Sequence, residues 1–64
     1  NAIAPGGVFA GQEDCFVKNY SSRVPVGRMA NTNEIVGAML FLASNASTYV
    51  TGQTIIIDGG LTSW

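Results

Sequence analysis

Apolar and polar positions along this chain fall into stretches with different periods. Residues 1–4 read as the end of a strand, and Pro5-Gly6-Gly7 stops it. Proline disfavours helix in the residue before it, and glycine permits turns that other residues do not make. Residues 9–11 continue as loop. Over residues 13–22 the apolar side chains Phe16, Val17 and Tyr20 recur at i, i+1 and i+4, the spacing of a short amphipathic helix. Glu13 and Asp14 at its start, with Lys18 and Arg23 later, match the helix macrodipole. Pro25 and Gly27 break it.

The next helix has the clearest start signal in the chain. Asn31 suits the N-cap, and Glu34 three residues on completes a capping box. Residues 35–43 are then apolar around the whole circumference rather than along one stripe, so this helix is expected to be covered on more than one side. Residues 44–47 end it. A Thr51-Gly52 turn leads into a strand at residues 53–57 whose three consecutive isoleucines show no alternation. Both faces of that strand are therefore expected to be buried, as in a parallel sheet with helices on each side. The order strand, loop, helix, helix, strand is one βαβ-type crossover, whose two strands lie parallel. Two strands do not cover both of their own faces. The chain reads as the edge of a larger α/β sheet.

Composition points the same way. The 64 residues are 47% hydrophobic and only 11% charged, and nothing between Ile35 and Ile57 carries a charge. A typical soluble domain has about 25% charged residues. Chains this short usually need disulfides, a metal or a partner. One cysteine, Cys15, allows no internal disulfide, and with no histidine there is no zinc ligand set. A partner, or the remainder of a longer chain, is the expectation, and the opening at Asn1 fits a processed or cut polypeptide. A net charge of −1 provides no basic footprint for nucleic acid or a membrane surface. The nine-residue apolar run is far short of the ~20 needed to span a bilayer. With no signal peptide visible either, a cytoplasmic protein is expected.

Catalytic constellations are mostly absent. There is no GxGxxG, no GxxxxGK[ST], no CxxC and no histidine for a triad. Adjacent Glu13 and Asp14 point about 100° apart on a helix and do not converge as an acid–base pair. Cys15 lacks a neighbouring base. The informative segment is Pro5-Gly6-Gly7-Val8-Phe9, which follows the carboxyl end of a buried strand, where open α/β sheets bind ligands. Its glycines let a ligand approach the main chain, and its amides can donate. An ordinary Pro-Gly turn is the plainer alternative, as a strand-ending turn is for Asp58-Gly59-Gly60.

Four segments together resemble the C-terminal quarter of a short-chain dehydrogenase/reductase: Asn1-Ala2-Ile3-Ala4-Pro5-Gly6, Pro25-Val26-Gly27-Arg28-Met29, Phe41-Leu42-Ala43-Ser44, and Tyr49-Val50-Thr51-Gly52-Gln53 through Asp58-Gly59-Gly60. The resemblance implies the last two strands and intervening helices of a Rossmann-type doubly wound parallel sheet. Residues 1–11 would be the strand end and nicotinamide-side loop, 12–24 the substrate-lid helix, 31–44 an interface helix, and 53–60 the last strand and turn. Pro5, Gly6, Gly7, Val8 and Ala10 would then line the site of NAD or NADP, with the Val8 main chain holding the carboxamide. Many members place a threonine where this chain has Ala10. Phe9, Gln12, Phe16 and Tyr20 would belong to the lid over a small-molecule substrate. Ile35, Met39, Leu42, Ile55 and Ile57 would meet a second copy in a homo-tetramer or homo-dimer, and Trp64 would pack at an interface or cap a neighbouring pocket.

The resemblance also implies what is missing. The family's base is a tyrosine four residues before a lysine, assisted by a serine. Val24 follows Tyr20 at that spacing and Gln53 follows Tyr49, so neither tyrosine qualifies. No catalytic residue and no metal ligand is therefore assigned here, and this chain alone is expected to be inactive. The expectation is the C-terminal part of an NAD(P)-dependent oxidoreductase acting on a hydroxyl or keto group of a sugar, polyol or 3-oxoacyl compound. A non-catalytic oligomerisation module of the same fold is the alternative.

Overall fold

In the computed structural model, which describes residues 1–63, strand β1 (Ala2–Pro5) lies parallel to strand β2 (Thr54–Ile57). Ala2 pairs with Thr54, Ile3 with Ile55, Ala4 with Ile56 and Pro5 with Ile57. The strand thus runs one residue further than the expected stop, through Pro5, and Gly6 continues the ladder by donating to the Ile57 carbonyl at 2.9 Å. Asn1 fixes the register at the other end. Its Nδ2 donates to the Val50 carbonyl at 2.9 Å, and its Oδ1 accepts from the Gln53 N–H at 3.0 Å.

Two helices form the crossover, α1 (Asp14–Ser21) and α2 (Thr32–Ala43). α2 begins at the capping box: the Asn31 N–H donates to Glu34 Oε1 at 2.8 Å. Arg28 braces that carboxylate with two bonds of 2.7 and 2.9 Å. After α2, a short 3₁₀ turn at Asn45–Ser47 returns the chain toward β2, with the buried Ser47 hydroxyl donating to the Leu42 carbonyl at 3.0 Å.

On α2 the half-buried positions are Ile35, Ala38 and Leu42, one stripe at helical spacing, and the helix packs against both strands. Val36, Met39, Leu40 and Phe41 stay exposed around the rest of its circumference. The expected interface set is therefore divided: Met39 points outward, whereas Ile35 and Leu42 lie in the half-buried stripe. The isoleucine strand differs from expectation too. Ile55 and Ile57 are half-buried but Ile56 is 58% exposed, so the described residues cover one face of β2 and leave the other open.

The best-buried hydrophobic side chains lie in neither strand nor helix. Val24 and Met29, 5% and 6% exposed, come from the loop after α1. That loop folds over the turn that follows β2, and the Val26 N–H donates to the Gly59 carbonyl at 3.1 Å. Gly59 and Gly60 adopt φ +65° and +94°. A Cβ on Gly59 would lie 2.6 Å from Val24 Cγ1, and one on Gly60 would lie 2.9 Å from Pro25 Cγ. Glycine is required here by backbone conformation and close packing together. Trp64 lies outside the described residues.

Candidate functional site

Immediately after β1 the chain crosses the carboxyl end of the sheet as a loop, residues 6–10. Val8 forms a single parallel bridge with Ala30: Phe9 donates to the Ala30 carbonyl at 2.9 Å, and Ala30 donates to the Gly7 carbonyl at 3.0 Å. This pattern turns the N–H and C=O of Val8 itself to the side away from Ala30. The Val8 carbonyl accepts from Gln12 Nε2 at 3.1 Å, and Gln12 Oε1 accepts from the Ala10 N–H at 2.7 Å. One side-chain carboxamide thereby braces the loop at two points.

α1 closes the other side. The Tyr20 hydroxyl accepts from the Gly7 N–H at 2.6 Å, and its ring stacks on Phe16 with centroids 6.2 Å apart. The room beside the two glycines is filled from within the chain. A Cβ on Gly7 would stand 2.5 Å from Tyr20 Cζ, and a Cβ on Gly6 would stand 2.8 Å from the Asp58 Cβ. The close approach these glycines permit is thus made by Tyr20 and Asp58.

Five of the expected residues are hydrogen-bonded within this loop and its flank, Gly7 and Tyr20 in one group with Ala30, and Val8, Ala10 and Gln12 in a second. Phe16 contributes its ring, although it is 52% exposed. Pro5 belongs to the strand, and Phe9 is 50% exposed with its N–H committed to Ala30. A cleft of about 230 Å³ opens between Gly7, Tyr20, Arg28, Glu34 and Asp58. The hydrogen bonds from Arg28 and from the Asn31 N–H hold the Glu34 carboxyl down to about 2, and the same pair raises the Arg28 guanidinium. Asp58 is lowered by the Thr62 hydroxyl, at 2.6 Å, and by the Gly60 and Thr62 amides. Both carboxylates serve as anionic acceptors for their own turns, and neither is poised as a base near neutrality.

Arg28, Glu34 and Asp58 stand at this cleft although the sequence reading did not place them in the site. The Glu34–Asn31 half of that arrangement was visible as a capping box; the Arg28 and Thr62 contacts depend on loop conformation. Among the described residues no group of three or more His, Cys, Asp or Glu side chains forms a metal cluster. No described helix is long and apolar enough to cross a membrane.

Known proteins match this arrangement over nearly the whole chain. A family model described as enoyl-(acyl carrier protein) reductase covers residues 1–62. A tropinone reductase homolog from Arabidopsis thaliana is 44% identical over 97% of the chain. A short chain dehydrogenase from Leptospira borgpetersenii, solved with bound NAD+, superposes with a TM-score of 0.87 at 52% identity over 94% of the chain. A gluconate 5-dehydrogenase from Burkholderia cenocepacia, solved with NADP and tartrate, gives a TM-score of 0.84 at 40% identity over 97%. The chain spans about a quarter of each: 26% of the plant protein and 24% and 27% of the two solved chains.

Proposed function

The chain belongs to the short-chain dehydrogenase/reductase family, and from that premise we propose that it is the C-terminal part of an NAD(P)-dependent oxidoreductase. The whole enzyme transfers hydride between a nicotinamide and a hydroxyl or keto group of a small molecule of the sugar, polyol or 3-oxoacyl type. Its fold is an edge of the Rossmann-type sheet of the solved relatives, here two parallel strands with their crossover helices. The observation that carries the reading is the loop at the carboxyl end of β1. Its other polar main-chain groups are largely committed within the chain, while the Val8 N–H faces away from Ala30 as a fixed donor.

A carboxamide oxygen is a suitable acceptor for such a donor, and Ala10 lines the same side without the hydroxyl of a threonine. The bound dinucleotide would supply or accept the hydride. Val8 and its braces would orient it, and residues 12–21 would cover the substrate. The sugar or polyol class is supported by the gluconate 5-dehydrogenase, and the 3-oxoacyl class by a 3-oxoacyl-(acyl-carrier-protein) reductase of Chlamydia muridarum, 43% identical over 95% of the chain. The catalytic serine, tyrosine and lysine belong to the rest of the polypeptide in this reading. A cytoplasmic setting is supported by the exposed, unpaired Cys15, which suits a reducing compartment.

The exposed apolar face of α2 supports assembly with further copies in a dimer or tetramer. Gly37 lies in its middle, and among the described residues no atom beyond its own chain neighbours and helix backbone comes within 4 Å of where its Cβ would be. Glycine at such a position costs about 1 kcal/mol relative to alanine, and a neighbour packing close to the helix accounts for it. The same face favours the second reading, an assembly module without catalysis.

Expression of the full-length protein and titration with NAD and NADP separates the two. Dinucleotide binding with NAD(P)-linked turnover of a polyol, a sugar acid or a 3-oxoacyl thioester supports the enzyme. An assembled protein that binds neither dinucleotide overturns it in favour of the module.

A further inference from the structure

Resting on the reading of residues 6–10 as the nicotinamide-side loop, we propose that Tyr20 is a positioning residue that latches the lid helix to that loop and reserves the Val8 amide as the loop's donor for ligand. Four observations meet in this assignment. Gly7 has both main-chain groups engaged, its N–H by the Tyr20 hydroxyl at 2.6 Å and its C=O by the Ala30 N–H at 3.0 Å. No polar group of Gly7 is left for a ligand. The tyrosine ring occupies the place a Gly7 side chain would take, with Cζ, Cε1 and Oη all within 2.7 Å of that point. Phe16, one turn earlier on α1, backs the ring at 6.2 Å and 23°. Lastly, Gln12 leads into the same helix and holds the Val8 carbonyl and the Ala10 amide.

The segment 12–20 therefore grips the loop at both ends, through a phenol at Gly7 and a carboxamide at Val8 and Ala10. Loop and helix behave as one body while these bonds last. Swinging α1 away strips the Gly7 N–H of its acceptor and vacates the space beside it, so the peptide between Gly6 and Gly7 loses its hold, while the Gly7 carbonyl and the Val8 N–H of the next peptide stay tied to Ala30. The freed Gly7 N–H would then stand as a second donor beside that of Val8, on a loop no longer braced by the helix. Binding at Val8 and closure of the helix are coupled through one hydroxyl.

Tyr20→Phe in the full-length enzyme tests this, because the ring and its stacking persist and only the acceptor is lost. One hydrogen bond is worth roughly a two- to tenfold change in an equilibrium. The dissociation constants of NAD and NADP, measured by titration, are expected to rise by about that factor. The melting temperature of the dinucleotide-free protein should stay within about 2 °C of the parent. Thr51→Ala, at the turn before β2 and outside both loop and lid, should leave dinucleotide affinity within about twofold. A Tyr20→Phe enzyme that binds both dinucleotides like the parent overturns the latch, as does an affinity loss matched by a comparable loss in Thr51→Ala. Hydrogen exchange at the Gly7 amide is a readout independent of binding. Faster exchange in Tyr20→Phe, by a factor of two or more, supports the bond, and equal rates in the two proteins overturn it. Failure of both proteins to bind any dinucleotide would instead strike the parent reading, while the Gly7 exchange rates would still decide the latch.

Discussion

The two ends of this molecule invert the usual relation between sequence and burial. The loop end, residues 23–30 with the turn at 58–60, is poor in long apolar runs but contains the two best-covered hydrophobic side chains, Val24 and Met29. The helix-and-strand end holds the long apolar runs, and much of their surface stays in the open: Met39 is 52% exposed, Leu40 64% and Ile56 58%. The loop end is complete in itself. Its turns are closed by Asp58, by the Arg28–Glu34 pair and by glycines with positive φ. The other end shows surfaces whose second side must be covered by something else, either the remaining strands of the sheet or another copy. Apolar content marks where a chain expects company, and turn chemistry marks where it stands alone.

Two methionines make the sharpest test of this contrast. In the full-length protein Met29→Ala should cost about 2–5 kcal/mol, the range for removing a buried long side chain, and the loss in denaturant unfolding should not depend on protein concentration. Met39→Ala should behave differently. Dissociated protein should lose no more than about 0.5 kcal/mol, while sedimentation should show association weakened by roughly 1 kcal/mol or more. A concentration-independent loss at Met39 equal to that at Met29 would erase the distinction.

Within the loop end, Gly59→Ala should destabilise by about 1–3 kcal/mol, because the new Cβ meets Val24 and the backbone sits at φ +65°. Gly37→Ala on α2 is the counterpart. Among the described residues nothing obstructs it, so helicity should rise slightly while association falls; unchanged assembly would count against a close neighbour there.

Smallest is an acid effect. Glu34 is held at about 2 when folded, below its ordinary value of 4.5, so its contribution is complete above the unfolded pKa and disappears as pH falls through that interval. Asp58 is lowered as well and acts in the same direction. Glu34→Gln should therefore flatten the decline in melting temperature between about pH 5 and pH 2.5 without abolishing it, since Asp58 still titrates.

Local signals in the sequence carried through to the structure, and long-range ones did not. The capping box at Asn31 and Glu34, the break at Pro25 and the strand of isoleucines rest on neighbours within a few residues, and all were legible; the parallel crossover was legible only from the order of the elements. Helix α1 is one residue shorter at each end than its pattern, with Glu13 as its cap. Tyr20 read as part of an apolar stripe, yet its hydroxyl determines its role by reaching Gly7, 13 residues away. Gln12 read as a lid residue and serves as a brace. Gly6 and Gly7 read as room for a ligand, whereas Asp58 and Tyr20 take that room. Val24 was not legible as core because it packs on Gly59, in a turn more than 30 residues later, where no periodicity records it.

The clasp made by Asn1 has a temporal consequence. It joins the start of β1 to Gln53, 52 residues further along the chain, so the sheet edge is among the most non-local contacts the segment makes. Closing so long a loop is entropically uphill until the strands register. During synthesis at ~5–20 residues per second, β1 leaves the ribosome roughly 3–10 s before the strand it pairs with. For that interval α2, made in between, has β1 but not β2 to lie against. The capping box and the Arg28–Glu34 bridge, both purely local, are the contacts able to hold the helix until β2 arrives.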